Sequence, residues 1–113
     1  MITRYAIFEG RIREGQIHAF RKAILEVVAP RWRAMPGVLN VRISFTDQSD
    51  AGAPDVPLIL AIDYPDYKTL ERALASPQRA ACRDALEGRV LPHFFDGRLH
   101  HHIGKTQPVT DVW

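Results

Sequence analysis

The chain has 113 residues, of which 46% are hydrophobic and 25% are charged. This is the composition of one globular domain with a single core, and it differs from that of a disordered chain. Fifteen Lys and Arg are balanced by 13 Asp and Glu, and the two signs are interleaved, so we expect no nucleic-acid partner. The longest apolar run, Val56–Ile62, is too short to span a bilayer, and no apolar leader opens the chain. We therefore expect a cytoplasmic protein without a membrane partner.

The sequence contains a single cysteine, Cys82, which excludes a disulfide framework within the chain and offers no CxxC pair. Cys82 lies in an alanine-rich helical stretch. A small buried thiol is therefore expected there rather than a nucleophile.

The first half of the chain predicts a strand, a helix and a second strand. In the strand Thr3–Phe8, alternation places Tyr5 and Ile7 on the opposite face from Arg4, Ala6 and Phe8. The helix that follows has apolar residues at helical spacing, namely Ile17, Phe20, Ile24, Val27 and Val28. Pro30 is expected to kink it or to begin its final turn. From Val38 the period becomes two, with Leu39, Val41, Ile43 and Phe45 on one face.

The second half predicts a loop over Asp47–Pro54, a third strand over Pro57–Tyr64 and a second helix. Asp66 is expected to cap that helix, and Ser76 followed by Pro77 to break and re-cap it. An irregular stretch is expected after Gly88, and a fourth strand over Gly97–Ile103.

The resulting order is βαββαβ, an α+β fold of the ferredoxin-like sandwich type with a four-stranded antiparallel sheet and both helices on one face. One domain is expected over residues 1–106, with a tail over 107–113 that frays or packs on a dimer mate through Trp113. Strand three has apolar residues on both faces. A second sheet is therefore expected to cover the face without helices, which predicts a homodimer closed through its sheet faces.

Three segments carry a resemblance to a known superfamily. They are Ala29-Pro30 with Met35-Pro36-Gly37-Val38, then Ala73-Leu74-Ala75-Ser76-Pro77, and then Asp84 with Phe94, Phe95 and Gly97. In these the chain resembles the dimeric α+β barrel superfamily, and within it the EthD-type proteins named for an ether-degradation gene cluster. Where that family often has a His two residues before the helix proline, this chain has Val28.

The resemblance implies a dimeric α+β barrel and small-molecule chemistry in a degradative or tailoring pathway. Relatives in the wider superfamily include cofactor-independent monooxygenases, lactone isomerases, haem-degrading enzymes and proteins with no known activity. If the chain is an enzyme, it is expected to need no organic cofactor.

Nucleotide-binding loops, a GxSxG elbow and an HExxH zinc motif are all missing from the sequence, which leaves an arginine, a tyrosine and the histidines as candidates. Arg31 falls within the apolar sector of the first helix and would face the sheet. The alternative is that Pro30 resets the helix phase and turns Arg31 to solvent.

The predicted pocket lies between the first helix and the sheet, with apolar walls from Phe20, Ile24, Val28 and Ile7. Three polar groups, Arg31, Tyr5 and His101, are expected to surround a small apolar, aromatic or lactone-like ligand. Arginine would hold an oxyanion or enolate, histidine would move a proton and tyrosine would fix orientation.

Two other functions remain open. One is a binding or accessory protein without turnover. The other is a metal or haem protein, since His100 and His102 share a strand face and can present two imidazoles to one metal, with His93 or Glu9 as a third ligand. Arg98 lies on the same face and opposes a cation, so histidines that hydrogen-bond at a sheet or dimer interface are the alternative.

Overall fold

The computed structural model of the chain describes residues 1–109. Its four strands are β1 (Ile2–Ile12), β2 (Asn40–Phe45), β3 (Leu58–Tyr64) and β4 (Phe95–Lys105). They form one antiparallel sheet in the order β2-β3-β1-β4. This order confirms the predicted ferredoxin-like βαββαβ arrangement. The packing predicted for Trp113 lies outside the described residues.

Two helical regions connect the strands. The first has three parts in series: α1 (Ile17–Ala23), a π-helical segment (Ile24–Val28) and α2 (Ala29–Arg33). The second comprises α3 (Tyr67–Leu74), α4 (Pro77–Arg83), a second π-helical segment (Asp84–Val90) and α5 (Leu91–Phe94). No helix among residues 1–109 is long and apolar enough to cross a membrane.

Each π-helical segment ends two residues before a proline. Pro30 and Pro92 have no N–H to donate to the carbonyl four residues earlier, and the proline ring would clash with that carbonyl. Widening the preceding turn accommodates the ring without ending the helix, as single-turn π-bulges do elsewhere. Of the two outcomes predicted for Pro30, a kink or the start of the final turn, the structure shows the second: Pro30 lies in the first turn of α2, which follows the π-helical segment.

The predicted irregular stretch after Gly88 is wrong, because residues 84–94 are helical throughout. The glycine is tolerated because the surrounding apolar residues Leu86 and Val90 are buried and hold the segment on the core. The two predicted caps are confirmed: Asp66 accepts a hydrogen bond from the Thr69 N–H at 2.8 Å, and Ser76 accepts one from the Arg79 N–H at 3.4 Å.

Strands β1 and β4 are longer than predicted because two glycines allow them to approach closely. Gly10 and Gly97 lie opposite each other in the ladder. A Cβ on Gly10 would lie 2.6 Å from the Cα of Gly97, so only glycine fits at this crossing. The pairing therefore continues to Ile12 opposite Phe95.

The core lies between the helices and one face of the sheet. The strands contribute one alternating row each to this helix-facing side, including Ala6, Phe8, Leu58, Leu60, Ile62 and Tyr64. The other face, called here the open face, has no covering element among residues 1–109. Its central residues are Tyr5, Ile7, Ile59, Ala61, His100 and His102. Leu39, predicted to begin the apolar row of strand two, precedes β2 and is 58% exposed.

Candidate functional site

A cavity lies between the sheet and the α2 and α4 helices. It has a volume of about 50 Å³ and opens to solvent. The floor is apolar and aromatic, formed by Ala6, Leu60, Ile62, Tyr64, Trp32, Met35, Cys82, Leu86 and Leu99. Five ionisable side chains complete the lining, namely Arg4, Arg79, Arg83, Glu87 and His101.

Secondary structure explains how these polar groups converge. On the central strand β1, Arg4 is two residues from the buried Ala6 and therefore points to the same, helix-facing side. On β4, His101 pairs with Ala6 across the ladder. In the second helical region, Arg79 and Arg83 are four residues apart and share one face with Cys82.

Arg4 is the least expected of these groups, because positions on the inner face of a central strand normally carry apolar side chains. Burial lowers the pKa of Arg4 from 12.5 to about 10, and the positive charge of Arg79 adds to this effect. The guanidinium is still fully charged at pH 7. Arg4 has no carboxylate partner among residues 1–109.

His101 is neutral beside these arginines. Burial lowers the pKa of His101 from 6.5 to about 4, with further lowering by the charges of Arg4 and Arg79. The residue remains exposed at the cavity mouth, where solvent weakens such effects, but any downward shift leaves the ring neutral at pH 7. A neutral imidazole offers one nitrogen as a hydrogen-bond donor and the other as a proton acceptor.

Two protonated groups complete the floor. Burial raises the pKa of the Tyr64 phenol, against the opposing charge of Arg4, and Tyr64 therefore stays an O–H donor. Burial also raises the pKa of the Cys82 thiol. Cys82 is 5% exposed, which confirms the small buried thiol expected from the sequence.

The structure does not assemble the predicted polar trio. Tyr5 pairs with His102 and lies on the open face, whereas His101 points to the helix side. The same alternation places Ile7 on the open face, so it does not form a cavity wall. The β1 row that faces the helices contains Arg4, Ala6 and Phe8, because Phe8 and Ala6 are the residues buried against the core.

The helix residues predicted as walls are core residues instead. Phe20, Ile24 and Val28 are 1%, 0% and 0% exposed and fill the space where the pocket was predicted. Phe20 also packs edge to face on Phe45 and Phe94. The cavity lies further along the helical region, where α2 carries Trp32.

Arg31 does not line the cavity. Its guanidinium donates a hydrogen bond to the carbonyl oxygen of Val27, four residues earlier, and the side chain is half-buried. Its neighbour Trp32, 5% exposed, lines the cavity in its place. The π-helical segment before Pro30 shifts the helix phase, which explains why a regular 100° per residue misplaced Arg31.

Sequence reasoning missed Arg4, Arg79 and Arg83. The sequence does carry a signal for the two helical arginines. A buried Cys82 defines the inward face of its helix, and Arg79, three residues earlier, and Arg83, one residue later, lie close to that face. Arg4 was correctly grouped with Ala6 and Phe8, but the opposite row was chosen as the inner one.

The other predicted histidines lie away from this cavity. His18 and His93 are exposed. His100 and His102 share the open face, with ring centroids 5.2 Å apart, and the buried Nδ1 of His100 has no hydrogen-bond partner within residues 1–109. Over the same residues, no group of three His, Cys, Asp or Glu side chains is arranged to hold a metal ion.

A larger groove of about 530 Å³ lies elsewhere, along the edge strand β2. Aliphatic side chains from the first helical region, from β2 and from the segment between them line most of it, including Leu25, Leu39 and Ile43. Its polar groups are limited to Arg33 and Asn40. The smaller cavity is the better candidate site because ionisable groups from three elements converge there.

Comparison with known proteins places the fold. No family model matches the chain, and no curated protein matches its sequence. Among solved structures, a protein of the ethyl tert-butyl ether d (EthD) family from Bacillus halodurans is similar, with a TM-score of 0.72 and 22% identity over 95% of this chain and 99% of that one. The cofactor-independent oxygenase SnoaB from Streptomyces nogalater gives 0.61 and 17%, over 96% of this chain and 94% of the other.

A third similar structure is described as a dimeric protein of unknown function with a ferredoxin-like fold, from Bacteroides fragilis. Its TM-score is 0.61 at 8% identity, over 93% of this chain and 95% of that one. The chain has the ferredoxin-like fold of these proteins. At these identities the likeness extends to fold and not to activity.

Proposed function

We propose that this ferredoxin-like protein binds a small apolar or aromatic molecule in the cavity between sheet and helices, without an organic cofactor. The observation that carries the proposal is the combination of an aromatic, apolar floor with a few convergent polar groups, the usual composition of small-molecule sites. The similarity to an EthD family protein and to a cofactor-independent oxygenase supports the same class of function.

The test is a nuclear magnetic resonance titration with 2-naphthol, an aromatic probe that is neutral at pH 7. Binding in the cavity is expected to shift the backbone amide resonances of Trp32, Leu60 and Cys82. Ala6→Leu, which adds bulk to the floor, is expected to suppress these shifts. Ala51→Leu in the exposed loop is the matched control. Shifts confined to other surfaces, or unchanged in Ala6→Leu, would contradict the proposal.

Turnover in the same cavity is a second candidate, favoured by the neutral His101 beside cationic side chains. The imidazole would accept a proton from a carbon next to a ligand carbonyl, and an arginine would hold the enolate oxygen that results. The imidazolium would exchange its proton with solvent and return a solvent-derived proton to the same carbon. Proton removal of this kind is the first step of an isomerase or oxygenase reaction and uses only groups of this chain.

Phenylacetone in D₂O tests the second candidate, because each proton removed from its benzylic carbon is replaced by deuterium. The wild type is expected to accelerate deuterium incorporation, and His101→Gln to abolish the acceleration while leaving 2-naphthol binding intact. Equal incorporation with and without protein would favour the alternative of a binding or accessory protein without turnover.

We also propose that two copies associate through their open faces. The centre of that face carries the apolar side chains of Ile7, Ile59 and Ala61, beside Tyr5 and His100. Ala61 is buried, whereas Ile7 and Ile59 are only half-buried within residues 1–109. The similar ferredoxin-like protein from Bacteroides fragilis is described as dimeric.

A further inference from the structure

We infer that the ligand of the cavity carries a negative charge, as a carboxylate or an enolate on an aromatic body, and that Arg4, Arg79 and Arg83 recognise this charge. The inference rests on the proposed function, and it names the class of molecule that the cavity takes.

The cavity lining has an unequal balance of charge. Three guanidinium groups face one carboxylate, Glu87, which lies 3.8 Å from Arg83. Both of these side chains are at least half exposed, so water screens the pair. Within residues 1–109, the side chains of Arg4 and Arg79 have neither an ion-pair partner nor a hydrogen-bond acceptor. The cavity therefore holds a net positive charge.

Arg4 differs from the other arginines of the sheet. Each arginine on a strand other than Arg4 pairs with a carboxylate: Arg11 with Asp55 at 3.4 Å, Arg42 with Asp63 at 2.9 Å and Arg98 with Glu9 at 3.2 Å. Arg4 is more buried than these three and has the greater need of a counter-charge. Because residues 1–109 supply no counter-charge to Arg4, we infer that a bound molecule supplies it.

The guanidinium groups of the cavity repel one another. The charges of Arg79 and Arg83 act against that of Arg4, and burial acts in the same direction. A bound anion would offset both effects at once, because it attracts all three guanidinium groups and accepts their hydrogen bonds. Arginine suits a planar carboxylate or enolate especially well, since its fork donates two parallel hydrogen bonds.

The cavity floor suits an uncharged, aromatic part of the ligand. The floor offers the rings of Trp32 and Tyr64 with the side chains of Leu60 and Met35, all at most 5% exposed. An inorganic anion would leave these surfaces without a partner. An aromatic or conjugated body, with its charged group at the arginines, uses both parts of the lining.

The experiment compares 2-naphthoate with 2-naphthamide, which has nearly the same shape and no charge, by calorimetry and by the cavity amide resonances. The wild type is expected to bind the carboxylate at least about tenfold more tightly than the amide. Arg4→Gln is expected to remove this preference, as is Arg79→Gln, which keeps the test valid if Arg4→Gln does not fold. Arg72→Gln, at an exposed site on α3, is the matched control and is expected to retain it.

The binding results test the charge of the ligand, its aromatic body and the proposed function separately. Equal binding of carboxylate and amide, unchanged by Arg4→Gln or Arg79→Gln, would overturn the anion inference and leave the proposed function standing. Binding of neither probe at the cavity resonances would overturn both. Acetate is expected to bind at least about tenfold more weakly than 2-naphthoate, because it lacks the aromatic body. Equal binding of acetate would overturn the aromatic part of the inference.

Discussion

At the scale of single residues, Asp63 holds a buried negative charge at the end of β3. The residue is 3% exposed, accepts a hydrogen bond from the Thr3 hydroxyl at 2.6 Å and pairs with Arg42 at 2.9 Å. Two such bonds link β3 to β1 and to β2, and they offset the cost of burying the carboxylate.

Asp63→Ala is expected to lower the free energy of unfolding by about 1–3 kcal/mol, because Thr3 and Arg42 lose an ionised acceptor. The half-exposed Arg42 can turn to water, which keeps the loss below that of a fully buried pair. Urea denaturation measures the change. The control, Asp50→Ala in the exposed loop, is expected to stay within about 0.5 kcal/mol of wild type. The same loss in both variants would argue against this role.

The lowered pKa of His101 predicts a pH-dependent stability of definite sign. Between its ordinary value of 6.5 and its folded value of about 4, the unfolded chain binds more protons at this site than the folded one. Stability contributed by the neutral ring is therefore complete above pH 6.5 and is lost as the pH falls toward 4.

The melting temperature of His101→Gln is accordingly expected to fall less than that of wild type between pH 7 and pH 4.5. His18→Gln, at an exposed site on α1, is expected to follow the wild-type curve. Nuclear magnetic resonance titration of the His101 ring gives an independent check: Arg4→Gln is expected to raise the pKa of His101, because one neighbouring positive charge is removed. An unchanged pKa of His101 in Arg4→Gln would show that the charge of Arg4 does not act on His101.

The site shows where sequence reasoning succeeds and where it fails at this scale. Alternation alone correctly grouped Arg4 with Ala6, and His101 with Leu99, since a strand has a period of two. Alternation does not tell which row faces the helices. That choice depends on the pairing of β1 with β3, which brings Ala6 opposite Leu60 and Tyr5 opposite Ala61. One wrong choice of row exchanged Tyr5 for Arg4 in the predicted site.

At the scale of elements, the junction of α3 and α4 determines where the cavity arginines lie. The Ser76 hydroxyl accepts a hydrogen bond from the Arg79 N–H at 3.4 Å and donates one to the Ala73 carbonyl at 2.6 Å. It thereby ends one helix and begins the next, with Pro77 in the first turn of α4.

Ser76→Ala is expected to lower the free energy of unfolding by about 1 kcal/mol, the usual cost of losing an N-cap. Ser49→Ala in the exposed loop is the matched control and is expected to have no comparable effect. Because α4 begins at this cap, Ser76→Ala should also weaken 2-naphthoate binding, whereas Ser49→Ala should not. Unchanged stability in Ser76→Ala would show that packing alone fixes the junction.

The same caps were predictable from sequence because Asp66 and Ser76 with Pro77 are local signals. The two π-helical segments were not, since a proline shows where a hydrogen bond is lost but not how the helix responds. Ile24 and Val28 are buried in the first π-helical segment, and Leu86 and Val90 in the second. This burial favours a widened turn over a break in the helix. That tertiary preference explains why Arg31 was misplaced and why residues 84–94 are helical.

At the scale of the whole molecule, the sheet covers the core with one face and leaves the other free of covering elements within residues 1–109. The residues of the open face are mixed: Ile7 and Ile59 are half-buried, while Arg42 and Ser44 near the β2 edge are exposed. The apolar part is central, on β1 and β3, and the polar part lies toward β2. An apolar centre with a polar surround is the usual composition of a protein interface.

The proposed homodimer predicts a mass about twice the 12.8 kDa of one chain in light scattering at micromolar concentration. Ile7→Glu is expected to weaken association at least about tenfold, because it buries a carboxylate at the centre of the interface. Circular dichroism is expected to show a folded monomer in this variant, since the Ile7 side chain lies outside the core that the helices cover. Tyr67→Glu is the matched control, since that side chain is 47% exposed on α3, and this variant is expected to remain dimeric. A wild-type protein that scatters as a monomer, or an Ile7→Glu variant that stays dimeric, would show that the open face is not the interface.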